Sequence, residues 1–156
     1  MQFGKRTVLL LSSGFGTGYI PVAPGTFGTL PALPLCYFLS TRPTWFSLVF
    51  TLAFIGAAIP LAHAGEKWMG RKDPGCIVVD EMAGMLVTLA GLPFNLYTAA
   101  AGFAVFRVLD IAKPFPVRYF DRNLSGGTGI VLDDVVAGII GNITLKIAMY
   151  LIGMMG

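Results

Sequence analysis

The stretch "GIVLDDVVAGIIGN", residues 129–142, places two adjacent aspartates, Asp133 and Asp134, at the head of an almost purely apolar run. From Val135 to the chain end, the polar side chains are only Asn142, Thr144, Lys146 and Tyr150. Such a run is ready to enter a bilayer, yet one aspartate at mid-bilayer costs about 2.5–3.5 kcal/mol on insertion scales. The two carboxylates are therefore shallow and paired, or they are functional.

The rest of the chain shares this apolar character. Of its 156 residues, 55% are hydrophobic and only 12% are charged, about half the charged fraction of an ordinary soluble domain. The mean hydropathy is +0.75. The net charge of +3, without a basic and aromatic stripe, argues against nucleic acid as a partner. We predict one domain, residues 1–156, built as an all-α integral membrane helical bundle.

Apolar stretches locate the helices of this bundle. There are four of them, at residues 29–39, 45–65, 82–106 and 129–155. "LPFN" at 92–95 favours a turn that divides the third stretch into two helices. Several stretches are shorter than the roughly 20 residues needed to span a bilayer. We therefore predict about four to six helices, some of them short or re-entrant. The N-terminal "TVLLL" is too short for a cleavable signal peptide, so we expect the N-terminus to be retained.

Basic residues predict the orientation. If the first two stretches cross in opposite directions and the third forms a hairpin, both charged connectors, 66–81 and 107–134, lie on the side of the N-terminus. That side collects nine basic residues: Lys5, Arg6, Lys67, Arg71, Lys72, Arg107, Lys113, Arg118 and Arg122. The far side keeps Arg42 and, depending on its depth, Lys146. By the positive-inside rule the connector side is cytoplasmic.

Two acidic pairs stand in matching frames. "DEMAG" begins at Asp80–Glu81 and "DDVVAG" at Asp133–Asp134, and each pair is expected directly before a helix. Carboxylates gain there from the helix dipole, and the following Ala-Gly lets another helix approach closely. The four side chains are expected to meet. Shallow caps at the headgroup level are the alternative, but clustered carboxylates without His or Cys ligands suit Mg²⁺.

"FRVLDIAKP", residues 106–114, supplies the counter-charge. Arg107, Asp110 and Lys113 fall on one helix face until Pro114 ends the helix. They form either a ladder of ion pairs worth a few tenths of a kcal/mol or a clamp in which Arg107 and Lys113 bind phosphate. Arg118 and Arg122 are equally well explained as anchors at the membrane surface.

Glycines and prolines fill residues 14–34, where Gly25 and Thr26 are candidate phosphate-binding positions. A flexible re-entrant loop explains the same composition. Cys36 and Arg42 match the C-x5-R spacing of cysteine phosphatases, but the residues between them contain no glycine and follow an apolar helix. We treat that match as chance. His63 is the single histidine, which excludes phosphatases that need two.

Four blocks together resemble the phosphatidylglycerophosphatase A family of bacterial membrane lipid phosphatases. They are "GTGYIPVAPGTFGTLPALP" (16–34), "KDPGCIVVDEMAG" (72–84), "FRVLDIAKPFPVRYFDRN" (106–123) and "GGTGIVLDDVVAG" (126–138). The resemblance implies Mg²⁺-dependent hydrolysis of phosphatidylglycerophosphate to phosphatidylglycerol and inorganic phosphate. It also implies a multi-pass protein of the bacterial inner membrane, with its site near the cytoplasmic leaflet.

The resemblance carries roles to individual residues. Asp80, Glu81, Asp133 and Asp134 match the family's acidic pairs, and Asp110 and Lys113 match its D-x-x-K-P element. We expect the acidic pairs to hold Mg²⁺, which lowers the pKa of a bound water. Arg107 and Lys113 are expected to offset charge in the transition state, while Asp133 or Asp134 orients the water.

Two other functions remain open from sequence alone. A small transporter or channel would use intramembrane carboxylates to pass ions or protons, and a non-catalytic membrane subunit would pair them with a partner's bases. Transport predicts acids near mid-bilayer and lipid hydrolysis predicts them at headgroup depth. Their expected position at helix starts favours hydrolysis. The oligomeric state is not predicted.

Overall fold

The computed structural model describes residues 2–153. Within that range the chain forms eight α-helices and one 3-10 turn, with no strand, so the all-α prediction is confirmed. In chain order these are α1 (Gln2–Ser12), the 3-10 turn (Thr17–Tyr19), α2 (Pro24–Thr29), α3 (Ala32–Ser40), α4 (Thr44–Met69), α5 (Val79–Leu89), α6 (Leu96–Ala112), α7 (Val117–Asn123) and α8 (Gly126–Leu151). The predicted end of the fourth apolar stretch, Met155, lies outside the described residues.

The helix count exceeds the expected four to six because three helices, α1, α2 and α7, come from segments for which no helix was predicted. The glycine- and proline-rich segment 14–34 contains α2 and the start of α3. The connector 107–134 contains the end of α6, all of α7 and the first two turns of α8. Proline at the first position of α2 fits a helix start, where its missing N–H has no intrahelical partner to lose.

The predicted break in the third apolar stretch is confirmed. Helix α5 ends at Leu89 and α6 begins at Leu96. Asn95 caps α6, because its side-chain oxygen accepts a hydrogen bond from the backbone N–H of Thr98 at 2.9 Å. Such a cap contributes about 1 kcal/mol to helix stability.

Helix α5 forms the centre of the fold and runs parallel to α8. An ideal Cβ on Gly138 would lie 2.4 Å from the carbonyl oxygen of Gly84. Farther along both helices, Gly141 lies against Thr88. The two glycines therefore allow backbone-to-backbone contact, as the Ala-Gly frames predicted. The ring of Phe106 on α6 closes the other side of Gly84 and is fully buried.

Asn142 ties the end of α5 to α8. Its amide nitrogen donates hydrogen bonds to the carbonyl oxygens of Thr88 and Ala90, both at 2.9 Å. The last carbonyls of a helix have no partner within the helix, so this side chain completes the C-terminus of an 11-residue helix inside an apolar body.

Among the described residues, only α4 is both long and apolar enough to be a candidate membrane span. Its best 18-residue window has a mean hydropathy of 2.0, and only 22% of that window is buried. The low burial distinguishes α4 from the core helix of a soluble domain.

Candidate active site

The two acidic pairs come together as predicted, but only one of them begins a helix. Asp80 and Glu81 lie in the first turn of α5. Asp133 and Asp134 lie about two turns inside α8, which starts at Gly126. The expectation that both pairs directly precede a helix was therefore wrong for the second pair.

Tertiary packing explains the longer α8. An ideal Cβ on Gly127 would lie 2.0 Å from the carbonyl oxygen of Ile59 on α4. Close contact with α4 thus holds a glycine-rich stretch helical although its intrinsic helix propensity is low. As a consequence, the helix dipole stabilises the charged forms of Asp80 and Glu81 in the first turn of α5. Its effect falls off within one turn, so it does little for Asp133 and Asp134.

A polar cavity of about 180 Å³ lies between the two pairs. We call Asp80, Glu81, Asp133 and Asp134 the acid cluster, and this space the acid-cluster cavity. Its walls come from the connector before α5 and from α5, α6 and α8: Asp73, Gly75, Ile77, Asp80, Glu81, Asp110, Lys113, Ile130, Asp133 and Asp134. Asp80, Asp133 and Asp134 are 7%, 4% and 3% exposed, so the carboxylates face this cavity and not bulk water.

Arg107 lies in an ion-pair network and does not line the cavity. Its guanidinium is 3.2 Å from Glu81 Oε1 and 2.5 Å from Asp110 Oδ2. The pair with Asp110 is the i,i+3 pair that was the alternative to a phosphate clamp. The structure therefore places Arg107 behind Glu81, where it fixes the orientation of that carboxylate, whereas Asp110 both pairs with Arg107 and lines the cavity.

Lys113 is the cation that lines the cavity. Its ammonium lies 2.6 Å from Asp133 Oδ2 and 2.5 Å from Asp121 Oδ1. It caps the C-terminus of α6 in the left-handed region, with φ 43°, a conformation that is uncommon for a residue other than glycine. Asp121, on α7, was not among the predicted site residues. Its position in "FDRN" carries no spacing signal, because only the fold of α7 brings it to Lys113.

Gly25 and Thr26 lie at the back of the same network. An ideal Cβ on Gly25 would lie 1.9 Å from Glu81 Oε1 and 2.8 Å from an Arg107 guanidinium nitrogen. The backbone of Gly25 thus packs directly against the Glu81–Arg107 ion pair, with no room for a side chain. Thr26 is half-buried, and its side chain makes no hydrogen bond to the acid cluster within the described range. Direct phosphate binding by either residue stays a prediction.

Replacing Gly25 by alanine is expected to lower kcat/KM by up to about a hundredfold, since displacement of a catalytic group by 1 Å can have that effect. The new methyl group must push Glu81 or Arg107 from its place. Gly56→Ala is the control, because Gly56 on α4 has open space around it. Kinetics and thermal unfolding of both variants test the expectation. Full activity in Gly25→Ala would show that the Glu81–Arg107 geometry is not needed.

Burial and like charge shift the ionisation of the cluster. Burial, together with the neighbouring charges of Glu81 and Asp73, raises the pKa of Asp80 well above its ordinary value. Burial raises the pKa of Glu81 to about 8, although Arg107 opposes the shift. Burial alone lowers the pKa of Lys113, but hydrogen bonds to Asp121 and Asp133 outweigh it and raise the pKa above its usual range. Lys113 therefore stays positively charged, but the carboxyl groups that line the cavity outnumber it.

The donor type of the cluster fits a hard cation. Asp80 Oδ1, Glu81 Oε2 and Asp133 Oδ1 are buried without a hydrogen-bond partner in the described structure. A buried charged oxygen without a partner costs about 1–3 kcal/mol or more, and carboxylate oxygens are the ligands Mg²⁺ prefers. In residues 2–153, however, no three acidic, histidine or cysteine side chains stand close enough to hold one metal ion as they are placed. The cluster supplies suitable ligands without a closed coordination sphere.

A lysine opposite buried carboxylates, around a small polar cavity in an apolar helical body, is a site that could bind a cation or a phosphate group. The profile of the phosphatidylglycerophosphatase A family matches residues 10–149. The chain belongs to that family.

Named relatives agree with this assignment. Phosphatidylglycerophosphatase A of Escherichia coli (strain K12) is 49% identical over 134 residues, 84% of this chain and 77% of the relative. That of Haemophilus influenzae is 42% identical over 132 residues, 83% of this chain and 81% of the relative. A putative phosphatidylinositol-3-phosphatase of Bacteroides thetaiotaomicron is 39% identical over 153 residues, 93% of this chain and 95% of the relative. No solved structure matches the chain.

Proposed function

We propose that the protein is a phosphoric monoester hydrolase that converts phosphatidylglycerophosphate to phosphatidylglycerol and inorganic phosphate. The observation that carries this proposal is the set of unpaired, buried carboxylate oxygens around the acid-cluster cavity, in a chain of this family. Buried charged groups without partners lower the stability of the fold. Their retention fits a catalytic purpose.

Asp80, Glu81, Asp133 and Asp134 are the residues that would hold Mg²⁺. When bound, Mg²⁺ neutralises the cluster, offsets phosphate charge and favours ionisation of water. The unpaired oxygens of Asp80, Glu81 and Asp133 are the ligands we expect it to use. Mg²⁺ dependence is a part of the proposal, supported by the donor type alone.

The residues of the chain perform the remaining tasks. Lys113 lines the cavity and donates to the oxygens of the transferred phosphoryl group, stabilising charge in an in-line transition state. Asp133 or Asp134 accepts the proton of the attacking water as its oxygen bonds to phosphorus. The bond from phosphorus to the glycerol oxygen breaks, and that oxygen takes up a proton. Arg107 orients Glu81 through their ion pair.

Exposed apolar faces support placement of this site in a membrane. Trp45 and Trp68 stand near the two ends of α4, 23 residues apart in sequence and so about 35 Å along the helix, close to the roughly 30 Å of a hydrocarbon core. Ile139, Ile143 and Ile147 form an exposed stripe on α8. Such a continuous apolar surface needs lipid or protein to cover it. The basic residues of the two connectors, by the positive-inside rule, support our proposal that the acid-cluster end lies at the cytoplasmic leaflet of the inner membrane.

Phosphate release from phosphatidylglycerophosphate in mixed micelles tests the function and its metal. We expect steady release with Mg²⁺, a drop to background in excess chelator, and recovery when Mg²⁺ is restored. Phosphatidylinositol-3-phosphate is the second substrate, chosen from the name of one relative, and comparison of the two kcat/KM values reveals headgroup preference.

Each result has a distinct meaning. Activity that survives the chelator would contradict the metal proposal while leaving the phosphatase intact. No release from either lipid would overturn the function and favour ion or proton passage through the same carboxylates. Proton or cation flux into vesicles containing the protein measures that alternative directly.

A further inference from the structure

We propose that a second cavity, at the opposite end of α5 from the acid cluster, binds the phosphate group of an anionic phospholipid. Its volume is about 230 Å³, and its polar lining includes Ser40, Arg42, Thr44, Ser47 and Thr51. We call it the Arg42 cavity. It rests on the membrane placement proposed above and is independent of the hydrolytic reaction.

The charge of this cavity is positive. Arg42 is the only ionised side chain among its lining residues. Its guanidinium lies 4.5 Å from the centroid of the Phe38 ring and pairs with no carboxylate of the described chain. All acidic residues of the protein lie between Glu66 and Asp134, and none of them lines the Arg42 cavity. A ligand of opposite charge is therefore the complementary one.

Two hydroxyl groups with unused hydrogen-bonding capacity line the same cavity. Thr51 is 6% exposed, and its hydroxyl group makes no hydrogen bond to any residue in the described part of the chain. Ser47 is 8% exposed and donates to the carbonyl oxygen of Leu39 at 2.8 Å, which leaves its own oxygen free to accept. Because Thr51 Oγ1 is not fully enclosed by protein, this hydroxyl group is available to a polar ligand or to water in the cavity.

Helix ends around the cavity do not reverse its polarity. The C-terminus of α5 would add negative potential there, but Asn142 donates to the carbonyls of Thr88 and Ala90. Helix α4 begins beside Arg42, with no side-chain cap at Pro43. Its free first-turn N–H groups add to the attraction for an anion.

The surroundings favour a lipid over a free ion. Trp45 stands exposed at the start of α4, and Leu48, Val49 and Leu52 continue the exposed apolar face below it. Tryptophan is enriched at membrane interfaces. A phosphate at Arg42 would leave its acyl chains against this face, in the leaflet opposite the acid cluster.

The cavity is a binding site and not a second phosphatase centre. Cys36 lines it, in the C-x5-R spacing noted in the sequence, but its thiol contacts the carbonyl oxygen of Met85 at 3.8 Å. Burial raises the pKa of Cys36 to about 12. A thiol in that state is a poor nucleophile.

Trp45 provides the test, since the chain has only two tryptophans. In a Trp68→Phe background, Trp45 is quenched by lipids that carry bromine on their acyl chains. We expect brominated phosphatidylglycerol to quench Trp45 with an apparent affinity about tenfold above that of brominated phosphatidylcholine, the size of one charge-assisted hydrogen bond. Arg42→Gln should abolish this preference, and Thr51→Val, which keeps the side-chain shape, should weaken it.

Matched controls make each outcome decisive. Arg122→Gln removes an exposed arginine at the other end of the fold and should leave the preference intact. In a Trp45→Phe background, Trp68 should not respond to Arg42→Gln. Equal quenching by both lipids, no quenching of Trp45, or a preference unchanged by Arg42→Gln would overturn the proposal. Loss of the preference in excess inorganic phosphate would overturn the lipid assignment in favour of a free anion.

Phosphate release measured on the same samples separates the two proposals. Lipid preference at Trp45 in a protein without phosphatase activity would leave the Arg42 cavity standing and remove the proposed reaction. The opposite result would remove the cavity and leave the reaction.

Discussion

Replacing Asp80 by asparagine is expected to lower kcat/KM by more than about a hundredfold, the upper range seen when a group that only supports a metal ligand is removed. The same change should make the metal-free protein more stable, by about 1–3 kcal/mol, because the amide keeps the shape of the side chain but removes a charge that is buried beside Glu81 and Asp73. One oxygen of that carboxylate, Oδ1, is buried without a partner in the described structure. A residue kept for the fold would show the opposite change in stability.

The gain in stability should depend on pH in a defined direction. Burial raises the pKa of Asp80 in the folded state, so at neutral pH folding works against ionisation of this carboxyl. The penalty exists above the ordinary aspartate pKa, near 3.9, and fades as pH falls below it because the unfolded chain is then protonated too. Asp80→Asn should therefore stabilise the protein at neutral pH and lose its advantage in acid.

Thermal unfolding in excess chelator, from pH 4 to pH 8 (roughly the aspartate-to-neutral range), measures this difference. Glu66→Gln is the control, since Glu66 on α4 is half-buried but lies outside the acid-cluster cavity, and both activity and unfolding should change little. An Asp80→Asn protein that is less stable than the parent at neutral pH would contradict the assignment of Asp80 as a functional carboxylate.

Replacing Lys113 by methionine is expected to reduce both activity and stability. The ammonium contacts Asp133 and Asp121, and removal of one partner of a buried ion pair costs about 3–5 kcal/mol. Since the Lys113 side chain is 27% exposed, solvent screening should keep the loss of stability at about 2–3 kcal/mol, below that range. Loss of a charged donor to the phosphoryl group should lower kcat by about a hundredfold or more.

A double variant separates the two effects. Lys113→Met with Asp133→Asn removes the buried charge that the single variant leaves without a partner, so stability should return towards that of the parent. Activity should stay low. Recovery of activity together with stability would contradict the proposed roles of both Lys113 and Asp133 in the reaction, and a purely additive loss of stability would show that the two side chains do not interact.

The sequence was sufficient for the parts of the site that depend on local pattern. Adjacent carboxylates followed by Ala-Gly predicted that α5 and α8 would pack closely, and Gly84 and Gly138 do touch. "LPFN" predicted the break between α5 and α6. Each of these signals lies within a few consecutive residues, so the local sequence is enough to predict the local structure.

Other features depend on contacts between distant segments and left little trace in the sequence. Asp121 reaches Lys113 because α7 packs on α8, and nothing in its neighbours indicates this. The first two turns of α8 depend on the contact between Gly127 and α4. Helix propensity alone does not predict them, because the segment is rich in glycine. Asn142 did carry a signal, because a lone amide in an apolar run requires hydrogen-bond partners, and the unpaired carbonyl groups at the end of a neighbouring helix are such partners.

The contact between Gly84 and Gly138 has a consequence for how the protein can vary. Asp80 and Asp134 each lie four residues before one of these glycines. The contact between the glycines therefore fixes the position of both carboxylates along the two parallel helices. Sliding α8 along α5 by one turn, about 5.4 Å, would separate the charges even if every side chain were retained. The distance between the two halves of the site is thus encoded by two residues that have no side chain, and insertions or deletions between acid and glycine should be absent from active variants.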